Sequence, residues 1–109
     1  MKLTDELRYQ LLKHLEQNPE MSQRQLASEM GISLGKANYC LKSLIDKGWV
    51  KAGNFRRNPN KLQYGYLLTQ KGLEEKARVT LRFLKRKQQE HQELVEELEE
   101  LRREASKLQ

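Results

Sequence analysis

Between residues 4 and 17, leucines recur at Leu7, Leu11 and Leu15, with Leu12 beside them and mostly polar residues between. That four-residue rhythm is one face of an α-helix. Thr4 is placed to cap it, Asp5 and Glu6 lie at its positive end, and Asn18-Pro19 stops it. A second helix is expected over 22–30. Ser22 and Gln25 have the spacing of a capping box, and Leu26, Ala27 and Met30 make a short apolar face. Gly31 suits the left-handed turn after a helix. Only Gly31 and Ile32 separate it from Ser33, the cap of a third helix running to about Lys47. Ala37, Leu41, Leu44 and Ile45 form that helix's inner face, and Gly48 ends it.

The period then changes. Trp49 to Ala52 reads as one strand, and Leu62 to Leu68 as another, in which Leu62, Tyr64, Tyr66 and Leu68 alternate with Gln63, Gly65 and Leu67. Gly53 to Lys61, rich in Gly, Asn and Pro, is expected to be the loop of a long-looped hairpin. Thr69 opens a last helix that runs toward the end. Its Leu73, Ala77, Leu81 and Leu84 suit packing back onto the domain, whereas Leu94, Leu98, Leu101, Ala105 and Leu108 keep a coiled-coil four-three rhythm. The expected fold is mainly α with a small β-hairpin. It comprises a winged helix-turn-helix over 1–72 and a long C-terminal helix over 73–109 for dimerisation.

Composition narrows the function. The chain has 109 residues, 37% hydrophobic and 33% charged, which allows one modest core but not a large catalytic cleft besides. Its net charge of +6 points to a polyanion. From Ser33 to Lys61 there are seven basic residues against Asp46 alone, a net +6 that equals the charge of the whole chain. That stretch is the third helix plus the hairpin loop, an electrostatic footprint for DNA. A steep turn between the second and third helices lets the third enter a major groove while the second braces the backbone.

Candidate contacts follow from side-chain chemistry. Asn38 can pair with an adenine edge, Lys36 or Lys42 can reach guanine acceptors, and Tyr39 can meet a phosphate or a thymine methyl. Gln23, Arg24 and Ser33 lie at helix starts where phosphates dock, and Asn54, Arg56, Arg57 and Lys61 sit on the wing for the flanking backbone or minor groove. Leu84, His91, Leu94, Leu98, Leu101, Ala105 and Leu108 form the candidate dimer seam. Along the last helix, Lys71 to Lys87 carries seven basic residues against two acidic, and Gln88 to Gln109 three against seven. An antiparallel pair lays the acidic end along the basic segment. A parallel pair sets Glu97 against Arg102 but brings Lys87 and His91 against their own copies.

Other chemistry is not expected. No run of about 18 apolar residues exists, and the N-terminus has no apolar leader stretch. Cys40 is the only cysteine and has no internal disulfide partner, so a cytoplasmic, nucleoid-associated address is expected. With His14 and His91 it makes no metal cluster; no cofactor, no metal and no catalysis are expected. Gly31 to Lys36 only glances at a phosphate-binding loop, with three residues between the glycines and Ala37 where a hydroxyl should hold magnesium. Cys40 reads as a small half-buried helix residue ahead of a redox switch.

Met21-Ser22-Gln23-Arg24-Gln25-Leu26-Ala27, Gly31-Ile32-Ser33, Leu44 to Val50 and Leu67-Leu68-Thr69-Gln70-Lys71-Gly72 resemble MarR-type winged-helix regulators. Ser33 to Leu41 and the basic-to-acidic last helix resemble the small MarR-like regulators associated with exopolysaccharide clusters. The resemblance implies a prokaryotic homodimeric transcriptional regulator on double-stranded DNA, with an inverted-repeat operator and an unknown inducer. It departs from the typical pattern in lacking an extra N-terminal helix and a second C-terminal one, so the usual ligand pocket is not expected. A protein-contact adaptor and an RNA-binding module are the other readings.

Overall fold

The computed structural model describes residues 3–58 and 61–109, with side chains outside 54–64. Helix α1 (Asp5–Gln17) starts at Thr4, whose hydroxyl accepts the Leu7 N–H at 3.1 Å. It buries Leu11, Leu12 and Leu15. Helix α2 (Gln23–Met30) carries the full capping box: Ser22 Oγ accepts from Gln25 N, and Gln25 Oε1 accepts from Ser22 N. Gly31 leaves it at φ 64°, where an L side chain would be strained. Helix α3 (Leu34–Asp46) is capped by Ser33 and buries Ala37, Cys40, Leu41 and Leu44. Two positions differ from the sequence reading: Ile45 is exposed, and Cys40 is wholly buried rather than half-buried.

Strands β1 (Val50–Asn58) and β2 (Lys61–Leu68) pair antiparallel, from Val50 with Leu68 to Asn58 with Lys61, with an irregularity between Arg56 and Asn58. The expected loop over 53–61 is therefore corrected: most of it is strand. Gly53 faces Gly65 and Asn54 faces Tyr64, so backbone pairing overrides the turn-like composition. Tyr66 N–H also donates to Pro19 O at 2.8 Å, which ties the hairpin to the α1–α2 connection.

Helix α4 (Gln70–Ser106) docks through its first turn. The Thr69 side chain accepts the Gly72 N–H at 3.0 Å and donates to Gly48 O at 2.6 Å, while Thr69 N–H donates to Trp49 O. A Cβ on Gly72 would lie 1.9 Å from the Trp49 carbonyl oxygen. This close approach decides which side of α4 is buried. Gly72, Glu75 and Val79 face inward, with Val79 in the core beside α1 residues, and Phe83 stacks on Tyr9 at 5.1 Å. The expected inward face is thus a correction. Leu73, Leu81 and Leu84 are 42%, 68% and 51% exposed, and Ala77 is exposed too. The leucines lie nearly half a turn round the helix from the docked side.

Glu75 is the one described charged residue that is buried. Its carboxylate meets Arg8 of α1 at 3.2 Å, Arg78 at 3.1 Å and Arg82 at 3.6 Å. Arg82 also grips Asp5 through two hydrogen bonds, and Arg8 lies over the Trp49 ring at 4.9 Å. The Arg82 hydrogen bond holds the Asp5 carboxyl below its ordinary value despite some desolvation.

Two expected outcomes follow from this packing. Gly72→Ala should cost about 3 kcal/mol of stability, because backbone must move to admit the methyl group. Gly35→Ala, whose new Cβ would meet nothing within 4 Å, should gain about 0.5–1 kcal/mol. Urea unfolding of the two variants checks both; equal midpoints would refute the close approach. Because Asp5 titrates lower when folded, its pairing stabilises the protein above the ordinary carboxylate range. That contribution is lost as pH falls through the folded value. Arg82→Ala should therefore destabilise the protein at pH 7 and much less at pH 2, as thermal melts at the two pH values would show.

Candidate nucleic-acid interface

The sequence builds a protruding helix from two local devices. The Ser22 box starts α2 and left-handed Gly31 ends it, so α3 begins at Ser33 after a two-residue turn. Ala37, Cys40, Leu41 and Leu44 then anchor α3 by one side. At 100° per residue, the opposite and outermost stripe is Gly35, Tyr39, Lys42 and Asp46. Tyr39 is 46% exposed and Lys42 is exposed.

The other sequence-predicted residues are placed differently from one another. Asn38 is half-buried on one flank and shares a side with Lys42, four residues on. Lys36 is half-buried on the opposite flank, where it lines a cleft with Thr4, Glu6, Gln10 and Met30. Lys36 and Asn38, two positions apart, do not face one target. Ser33 Oγ accepts the Lys36 N–H at 3.0 Å, so its acceptor capacity is engaged by the cap. Gln23 Nε2 donates to Tyr66 Oη at 3.0 Å, so Gln23 joins the start of α2 to strand β2. Arg24, beside it, is exposed. Asn54, Arg56, Arg57 and Lys61 have strand backbones, but their side chains lie outside the described residues. Of the basic stretch, Lys47 lies over the Trp49 ring at 5.3 Å.

Sequence reasoning missed three exposed residues of α3. Leu34 and Ile45, 42% and 37% exposed, lie on the Asn38 flank, and Gly35 presents bare backbone in the first turn. Apolar side chains at such positions can contact thymine methyls. The signal was available: four buried positions fill one side of a 13-residue helix, which leaves Ile45 outside.

Cys40 has no exposed surface, and burial pushes its thiol up more than nearby Lys36 pulls it down. A raised, buried thiol carries little thiolate and is a poor nucleophile. No helix among the described residues is long and apolar enough to cross a membrane, and no group of metal-ligating side chains gathers among them.

Residues 4–51 match the family model described as winged helix-turn-helix DNA-binding. Comparison with the curated proteins gives no match. Among solved structures, the chain is similar to the PcaV transcriptional regulator of Streptomyces coelicolor in complex with its natural ligand. Identity is 20%, the TM-score is 0.63, and coverage is 74% of this chain and 56% of that one. It is similar to Streptococcus pneumoniae FabT in complex with DNA at 20% identity and TM-score 0.55, covering 76% and 56%. It is similar to Lactococcus lactis ZitR in complex with DNA at 21% identity and TM-score 0.54, covering 100% and 77%. The chain thus spans a little over half the length of the first of these relatives. At these identities the likeness establishes the fold: a winged helix-turn-helix, mainly helical, with a small antiparallel hairpin and a long C-terminal helix.

One measurement separates a buried structural thiol from a redox switch. Cys40 should resist a thiol reagent such as DTNB in the native protein and react at once in about 6 M guanidinium. Rapid labelling of the native chain would make Cys40 a regulatory candidate again.

Proposed function

We propose that this protein is a homodimeric transcriptional regulator of MarR type that binds a specific inverted-repeat site in double-stranded DNA. The observation that carries the reading is α3 itself. One side is wholly buried, its outer stripe and one flank carry Asn38, Tyr39 and Lys42, and it begins a stretch with net charge +6. The winged-helix match over 4–51 supports it, and so do the two similar structures whose proteins are in complex with DNA. The protein is a binding protein rather than an enzyme, acting in the cytoplasm at the nucleoid. Its sequence motifs are nearest those of the exopolysaccharide-associated regulators. Residues 1–72 form the DNA-binding unit and 73–109 the dimerising helix, with Leu84, His91, Leu94, Leu98, Leu101, Ala105 and Leu108 in its seam.

In this reading Asn38 and Lys42 face the bases together, with Tyr39 between them and the backbone. Lys36 and Arg24 hold phosphates on either side, and the wing residues Asn54, Arg56, Arg57 and Lys61 reach the flanking backbone. Gln23 and Ser33 position the elements that make contact. Protein-contact and RNA-binding roles remain the contrasting outcomes.

Sites selected from a random duplex pool test the reading; recovery of a two-fold repeat is expected. Failure to retard any duplex, or preference for RNA of the same sequence, would sink it. Asn38→Ala should cost about 1–3 kcal/mol on the selected site and relax preference at one base position. Equal losses on selected and random DNA would move Asn38 to the backbone. Arg56→Ala with Arg57→Ala should lower the logarithmic salt slope by roughly one for each phosphate the wing no longer neutralises. An unchanged slope and affinity would remove the wing from the interface.

A further inference from the structure

The docking of α4 leaves one heptad stripe uncovered, apolar from Leu73 to Leu84 and from Leu94 to Leu108 with Lys87 and His91 between. In heptad terms it runs from Leu73 to Leu108, each position three or four residues from the last. Leu94, Leu98 and Leu101 are 53%, 39% and 50% exposed, as open as Leu73 and Leu84 nearer the domain. The stripe also borders an open apolar groove, where Leu73, Ala77, Thr80 and Leu81 lie beside Glu16 at the end of α1. Among the described residues, the farthest α4 side chain paired with α1 is Arg86, 3.7 Å from Glu6. Some twenty residues beyond it have no other element of their own chain beside them.

We propose that a second copy of this chain covers the stripe in antiparallel orientation, so that the acidic end of each α4 lies in the groove at the base of its partner's domain. The inference rests on the dimer in the proposed function and adds orientation and register. Charge favours it: residues 71–87 carry seven basic against two acidic side chains, and residues 88–109 three against seven. Shape selects the register. Setting Leu84 opposite Leu94 places small residues against large on either side of that pair, with Ala77 facing Leu101, Ala105 facing Leu73 and Thr80 facing Leu98. His91 opposite Lys87, twice at the centre, is the one pairing of two polar side chains.

The flanking positions agree with that register. Lys76 comes beside the partner's Glu104, and Glu74 beside the partner's Arg102. Leu81, at 68% the most exposed leucine near the domain, comes beside the partner's Val95. Shifting the pairing by one heptad toward the C-terminus puts Lys87 against Leu98 and Glu90 beside the partner's Glu97 twice, where the chosen register sets Glu90 beside the partner's Glu90 once. A parallel pair buries Lys87 and His91 against their own copies, where like charges repel.

Disulfide trapping in the full-length chain tests orientation directly. In a Cys40→Ala background, protein carrying Ala77→Cys is mixed with protein carrying Leu101→Cys under mild oxidation. Positions 77 and 101 are about 36 Å apart along one helix, so no single pairing mode links both to themselves and to each other. The expected result is a mixed disulfide dimer in most of the sample, with at least tenfold less from either variant alone. Self-linked dimers of either variant would overturn the proposal in favour of a parallel pair. A parent that sediments as a dimer while no variant cross-links would overturn it and leave the dimer standing with its interface elsewhere. A monomeric parent at micromolar concentration would overturn both this inference and the dimer.

Discussion

The contact between Gly72 and the carbonyl of Trp49 fixes the arrangement of everything around it. It is an approach of backbone to backbone with no room for a Cβ. The same turn gathers Thr69, which binds Gly48 and Trp49 while capping α4. The end of α3, the start of β1 and the start of α4 are therefore one joint. Once Gly72 is set there, helical geometry carries Glu75, Val79 and Arg82 onto α1 and turns the leucines away. Glu75 follows as a necessity. A carboxylate carried inward must be paired, and Arg8, Arg78 and Arg82 surround it.

The parts legible in the sequence are those governed by neighbours in the chain. Thr4, Ser22, Ser33 and Thr69 each cap the helix they precede, and Gly31 takes the left-handed turn, because caps and turns need only a few adjacent residues. The parts not legible depend on distant contacts. Leucine spacing in α4 correctly marks an apolar face but does not say what lies against it. A glycine approach, the buried pairing of Glu75 with Arg8 67 residues away and the exposed pairing of Arg82 with Asp5 77 residues away decide that. The length of the wing is hidden for a similar reason, since Gly53 and Asn54 look like turn residues until Gly65 and Tyr64 stand opposite.

The candidate site shows the same division. The exposure of Tyr39 and Lys42 is legible because a buried face fixes the opposite one, and Asn38 falls on the flank between the two faces. The separation of Lys36 from Asn38 follows from helix geometry once the anchored side is known. The hydrogen bond from the Gln23 amide to Tyr66, 43 residues away, is a relation that no local pattern encodes. Hydrogen bonding to Tyr66 makes Gln23 a link between the base of the wing and the helix that braces α3, so α3 and the hairpin share one support.

The outer half of α4 has a thermodynamic consequence. It continues a docked helix but has no packing of its own, which is where most helical stability in proteins comes from, and side-chain pairs such as Gln89–Glu93 and Gln92–Glu96 add only about 0.2–0.5 kcal/mol each. Its order is therefore linked to association: on the dimer reading, helix content rises with the amount of protein. On that reading the arms fray at low copy number, and two chains bound to adjacent half-sites of the proposed operator would reach a local concentration that winds them together. An operator would then serve as a template on which the last fifth of the protein completes its folding, and occupancy would depend steeply on how many copies the cell holds.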